Sequence, residues 1–115
     1  MIKNQTVVSY KINGSILELI VMGEIDHHSA VGLRERADEL IKKHKPSEVA
    51  LNLEEIGFMD SSGLGFIMGR YALVKKLGGE LVLKNPNENV KRICRLAGLE
   101  RMIKTKNGGE KNEKR

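Results

Sequence analysis

The stretch MDSSGLG, residues 59–65, joins two segments of different periodicity. Before it, VALNL at residues 49–53 is a short apolar run with polar flanks, which reads as a strand buried on both faces of a parallel sheet. After it, Leu64, Ile67, Met68, Tyr71, Val74 and Leu77 recur at helical spacing and predict a helix with one buried stripe. Asp60, Ser61 and Ser62 therefore fall at a strand-to-helix junction. The unpaired N–H groups and positive dipole end of that helix favour oxygen atoms and negative charge, so a phosphate would be well received there. The serine pair is first a candidate helix cap and second a candidate chemical site.

Outward from this junction, the chain alternates strand and helix. Residues 6–12 and 15–21 are strand-like with Asn13-Gly14 between them, a strong signal for a two-residue hairpin turn. Gly23 is expected to close the second strand. A helix with Ala30, Leu33, Ala37, Leu40 and Ile41 inward follows, capped by either Asp26 or Ser29, and its outer face mixes Arg34, Glu35, Asp38, Glu39, Lys42 and Lys43. Phe58 and Met59 read as a packing pair ahead of the central motif. Gly78-Gly79 stops the central helix, residues 80–84 (ELVLK) form a strand, and Asn85-Pro86-Asn87 leads into a helix burying Val90, Ile93, Cys94 and Ala97, with Gly98 as its terminator. Leu99, Met102 and Ile103 supply a last strand or docked turn. From residue 105 the chain is too polar to bury apolar surface, so residues 105–115 are expected to be a disordered basic tail.

These elements define an α/β fold with a mixed, mainly parallel sheet of four to five strands packed with helices, occupying residues 1–104. Right-handed crossovers bring residues 24–28, 54–62 and 85–89 to the carboxyl edge of the sheet, where open α/β sheets bind partners.

Composition restricts the function classes. The 115 residues make one domain. Of the net charge of +5, residues 104–115 hold +3, so the body is nearly balanced. With four aromatics and no basic stripe on one element, direct nucleic-acid binding is not expected. Neither a membrane span nor a signal-peptide core is present in the sequence, which gives a cytoplasmic expectation. The lone Cys94 reads as a small core residue.

The glycines at 63, 65 and 69 do not match a dinucleotide or P-loop spacing, and no cofactor is expected. Adjacent histidines at 27 and 28, with Asp26 but no third ligand cluster, do not make a metal site. A serine hydrolase would need His27 or His28 to approach Ser61, with Asp26 as orienter; no G-x-S-x-G is present, and nothing in the spacing demands that arrangement. A protein-binding surface with a phosphorylatable serine remains. Phosphorylating Ser61 would add nearly two negative charges beside Asp60 and close to Glu54 and Glu55.

GEIDHHSA at 23–30, LNLEEIGFMDSSGLGFIMGRY at 51–71 and KKLGGELVL at 75–83 resemble the anti-sigma factor antagonists of the STAS type, above all those acting on the anti-sigma-F factor in sporulation. The resemblance implies a non-enzymatic regulator of transcription. Its unphosphorylated form would bind an anti-sigma factor that is also a serine kinase, freeing the sigma factor. Phosphorylation of Ser61 would end that binding, and a serine phosphatase would restore it. It further implies partner contacts at Glu24, Asp26, His27, His28, Asp60, Ser61, Ser62, Gly63 and Leu64. The alternatives are an antagonist in a stress-response partner switch and, outside the class, a small serine hydrolase or nucleotide-binding protein. At Ser62 the cap reading outweighs the phosphosite reading.

Overall fold

The computed structural model describes residues 6–107. Its elements run β1 (Val7–Asn13), β2 (Ile16–Ile25), α1 (Ser29–His44), β3 (Glu48–Asn52), β4 (Ile56–Met59), α2 (Ser61–Lys76), β5 (Glu80–Lys84), α3 (Glu88–Leu96), a 3-10 turn (Leu99–Arg101) and β6 (Lys104–Lys106). The fold is the mixed α/β arrangement read from the sequence, with six strands rather than four to five.

β1 and β2 pair antiparallel, and every other pairing is parallel. The sheet order is β1-β2-β3-β5-β6, with β4 on β2 beyond the end of β3. Residues 16–20 of β2 bond β3; after an irregularity at Gly23, Glu24 and Ile25 bond β4. Gly23 thus does not close the second strand. Its positive φ of 114° carries the strand through the change of partner. The hairpin loop is Gly14-Ser15, one residue later than expected, because Asn13 still pairs with Ile16; Gly14, at φ 63°, takes the left-handed position.

All the β-to-β crossovers step in one direction across the sheet, so the right-handed rule puts all three helices on one face. Leu17, Leu19, Val21, Val49, Leu51, Leu81 and Leu83 point to that face and are buried. The opposite face carries Glu18, Asn52 and Lys84 in one network: Asn52 Nδ2 donates to Glu18 Oε2 at 2.9 Å and Lys84 Nζ to Glu18 Oε1 at 3.2 Å. Burial raises the Glu18 pKa, but the Asn52 and Lys84 hydrogen bonds outweigh it and hold the carboxyl below its ordinary range. β3 is buried on both faces as expected, with Val49 and Leu51 toward the helices and Ala50 on the other side, and Asn52 joins the polar network at its end.

The buried stripe of α2 is Gly63, Phe66, Ile67, Arg70 and Val74. Of the expected stripe, Ile67 and Val74 are buried, but its centre is shifted by one position: Met68 and Leu77 are exposed, while Leu64 and Tyr71 lean on the core's margin. An arginine in the stripe conceals its phase, because the apolar residues alone fit either side of it. Arg70 is 4% exposed, with its Nε 2.8 Å from Asp38 Oδ1 of α1, so Asp38 is no solvent-face charge.

Three smaller expectations also shift. Ala30 is only half-buried and Ala97, past the end of α3, is exposed; Phe58 is exposed while Met59 is buried. Thr105 and Lys106 belong to β6 instead of a disordered tail, held by pairing to β5 and by Lys106 Nζ on Glu48 Oε2 at 3.3 Å. A wholly polar three-residue strand leaves no apolar pattern to read. The remainder of the predicted tail, residues 108–115, lies outside the described residues.

Candidate functional site

Three loops meet at the carboxyl edge, the three read from the sequence. Asp60 N–H donates to Ile25 O at 3.2 Å and Gly23 N–H to Glu55 O at 3.2 Å, joining the loop after β2 to the β4 segment. Asn87 Nδ2 donates to Ile56 O at 2.7 Å and Asn85 Nδ2 to Glu54 Oε1 at 3.3 Å, joining β4 to the loop after β5. Asn87 Oδ1 also accepts from Val90 N–H at 3.0 Å and so caps α3. Thr6 Oγ1 donates to Glu24 O at 2.7 Å, tying the start of β1 to the same edge.

At the centre, the cap of α2 is Asp60 and not Ser62. Its carboxylate accepts from Ser62 N–H at 2.7 Å, and its carbonyl accepts from Gly63 N–H at 2.9 Å. An aspartate followed by two serines offers three possible caps, and the extended backbone of Asp60 selects the first. Ser61 is thereby the first helical residue. It is exposed, and its hydroxyl makes no hydrogen bond with the described residues. Ser62 is half-buried one position further in.

Gly63 sets how closely the helix approaches the strand before it. A Cβ there would overlap Met59 Cγ and Sδ, and Met59 is 1% exposed. Gly63→Ala is expected to cost about 1–3 kcal/mol by overpacking, read as a lowered denaturant midpoint at unchanged slope. A midpoint equal to wild type would show that Met59 can move aside freely.

Beside this junction, Asp26 organises the entry to α1. Its Oδ1 accepts from His28 N–H and Ser29 N–H, both at 2.9 Å, and Ser29 Oγ donates to Glu24 O at 2.8 Å. Of the two candidate caps, the carboxylate of Asp26 takes the backbone N–H groups. The Ser29 N–H bond, assisted by that of His28, lowers the Asp26 pKa below its ordinary value and outweighs the opposing effect of desolvation. His27 and His28 are exposed with rings 5.4 Å apart in edge contact. Neither hydrogen-bonds Ser61, so the structure assembles no serine–histidine pair. Among the described residues no group of three or more His, Cys, Asp or Glu is placed to hold a metal, and no helix is long and apolar enough to cross a membrane.

Of the nine candidate contact residues, Glu24, Asp26, His27, His28, Asp60, Ser61, Ser62 and Leu64 keep accessible surface, Leu64 also leaning on the core, while Gly63 is buried on Met59. Sequence reasoning missed Asn85 and Asn87, which knit the loops; the Asn-Pro-Asn run was the available signal. It also missed Thr6 and the exposure of Phe58. Cys94 is 4% exposed, and burial, helped by Glu100, raises its thiol pKa, as for a core cysteine.

The site is thus a serine-bearing helix start at the carboxyl edge of a six-stranded sheet whose helices all lie on one face. The STAS domain profile matches residues 7–111. An anti-sigma F factor antagonist of Paenibacillus polymyxa is 39% identical over 84 residues, covering 73% of this chain and 72% of the relative. An anti-sigma-B factor antagonist of Bacillus subtilis is 35% identical over 96 residues, covering 84% and 86%. The solved structure of the anti-sigma factor antagonist SpoIIAA in its unphosphorylated form superposes with TM-score 0.73 at 25% identity, covering 86% of this chain and 87% of that one. The chain belongs to the STAS domain family of anti-sigma factor antagonists.

Proposed function

We propose that this chain is itself an anti-sigma factor antagonist, switched off by phosphorylation of Ser61. The observation that carries the reading is the exposed, unbonded Ser61 hydroxyl at the first position of α2, beside a capping carboxylate that is already committed to Ser62 N–H. In the unphosphorylated state the edge binds an anti-sigma factor and releases the sigma factor to RNA polymerase in the cytoplasm. That anti-sigma factor, acting as a serine kinase, transfers the γ-phosphoryl group of ATP: the Ser61 oxygen bonds to phosphorus, ADP leaves, and the hydroxyl proton passes to a base of the kinase. The new dianion lies next to Asp60 and has no matching cation in an interface fitted to a neutral hydroxyl, so the complex dissociates. A serine phosphatase hydrolyses the phosphoester and resets the switch. The chain contributes no catalytic group and no nucleic-acid contact of its own.

The sporulation factor sigma F is the preferred target, supported by the likeness to the Paenibacillus protein; the stress factor sigma B is the second reading, supported by the Bacillus relative. The test is intact mass after incubation with each anti-sigma factor and ATP. One phosphoryl group on wild type and none on Ser61→Ala is the expected result. Addition to both would move the site to Ser62 or elsewhere, and addition to neither with either factor would remove the kinase-switch reading.

A further inference from the structure

The face of the sheet that carries no helices is polar over most of its area. Lys84 and Lys106 neutralise Glu18 and Glu48 there. At the end nearest Ser61 its character changes. Val7 is the direct cross-strand partner of Met22, and Phe58 pairs with Glu24, two residues further along β2 on the same face. Val7, Met22 and Phe58 are 44%, 37% and 46% exposed, so three large apolar side chains share one strip across β1, β2 and β4. Phe58 points outward because Gly57 is a residue that β2 does not pair: Ile56 faces Gly23, Phe58 faces Glu24, and Met59 stays buried against the helices.

The segments that carry the strip are acidic. Residues 22–33 and 52–69 contain five carboxylates and not one lysine or arginine, in a chain whose net charge is +5. Phe58 lies three residues before Ser61, and the Asp60 N–H to Ile25 O bond locks the two positions into one rigid corner. Exposed aromatic and aliphatic groups on acidic segments, continuous with the switch serine, fit a protein surface that offers an apolar socket edged by basic groups.

We propose that the Val7–Met22–Phe58 strip is an anchoring half of the anti-sigma factor interface, with Phe58 as the residue seated in the partner's socket. This rests on the antagonist reading above and extends it from the serine edge onto the bare sheet face. The strip supplies affinity; Ser61 supplies the switch.

The experiment measures binding of the unphosphorylated full chain to the anti-sigma F factor of Paenibacillus polymyxa and the anti-sigma-B factor of Bacillus subtilis by calorimetric titration. Phe58→Ala is expected to weaken binding at least tenfold, Met22→Lys comparably. Leu96→Ala, at a 78% exposed apolar site on α3, should stay within twofold. Thermal melts of all variants should keep a single cooperative transition within a few degrees of wild type, since none of these side chains belongs to the buried core. Binding within twofold of wild type for both Phe58→Ala and Met22→Lys would overturn the proposal while leaving the antagonist reading intact. Failure of the wild type to bind either factor would remove the antagonist reading itself. Sedimentation of the chain alone gives the remaining arm: a wild-type dimer that Phe58→Ala makes monomeric would assign the strip to self-association and overturn the proposal.

Discussion

Ser61→Asp is expected to weaken binding to the anti-sigma factor by two orders of magnitude or more, while Ser61→Ala binds within about threefold of wild type. A hundredfold loss corresponds to about 2.7 kcal/mol, which a single uncompensated charge in a desolvated contact readily supplies. In the free protein the same carboxylate is well placed, because the first turn of α2 presents its positive end there and acids at such positions are mildly stabilising. Folding and binding should therefore respond in opposite ways: the melting temperature of Ser61→Asp holds or rises slightly while affinity collapses. Alanine keeps the volume and neutrality of the position, and the hydroxyl it removes has no hydrogen bond among the described residues. Titration calorimetry alongside thermal melts checks both halves. Equal dissociation constants for the aspartate and alanine variants would sink the electrostatic account of the switch.

Asp38→Ala is expected to be the costliest substitution for stability outside the apolar core. Arg70 is 4% exposed; besides its contact with Asp38, its Nη1 donates to Phe66 O at 3.3 Å and its guanidinium lies 5.2 Å from the centre of the Phe66 ring. Burial lowers the Arg70 pKa and the Asp38 carboxylate opposes that shift, so the pair keeps a charge in place that the interior alone would disfavour. Removing Asp38 leaves the guanidinium buried with only a carbonyl and a ring. Breaking buried pairs in this way costs about 3–5 kcal/mol, and because Asp38 keeps 27% of its side-chain surface the lower figure, about 3 kcal/mol, applies. That is a fall of roughly 12–24 °C in melting temperature for a domain of this size. Asp38→Ala combined with Arg70→Met, which removes the stranded charge, should recover most of the loss. A single substitution costing less than about 1 kcal/mol, or a double one no better than the single, would show that the pair is not buried in energetic terms. The two helices joined by this pair begin at the Asp26 and Asp60 loops, so the pair also fixes the distance between the two halves of the site.

Where periodicity was strong, the sequence was a reliable guide to the fold. The alternating β2, the VALNL and ELVLK strands and the three helices all follow from spacing, and the carboxyl edge follows from the handedness of their connections. What escaped reading had specific physical causes. β4 is four residues long with a glycine left unpaired inside it, too short and irregular to show a period of two. β6 has no apolar residue at all. Arg70 breaks the apolar stripe of α2 where the helix meets α1, since a charge neutralised by a residue on another element cannot be recognised within one helix. At the site, the sequence placed Asp60, Ser61 and Ser62 at a helix entrance but could not choose the cap, a choice made by backbone angles. It could not show that Phe58 faces outward, because exposure there depends on the single unpaired residue before it.

The spatial order of the sheet repeats the order of synthesis. Apart from β4, which returns to the far end of β2, every strand after the first hairpin is laid down at the growing side, and none has to be threaded between two strands already in place. The chain can thus assemble as it leaves the ribosome, each crossover docking on the edge left by the one before. By the end of α2 at Lys76, the Asp26 and Asp60 loops have both been made, and only the third loop of the corner, with its Asn87 clasp, is still to come. The switch residue is in place while β5, α3 and β6 are still being translated, and the short β6 is the last of the described strands to join the sheet.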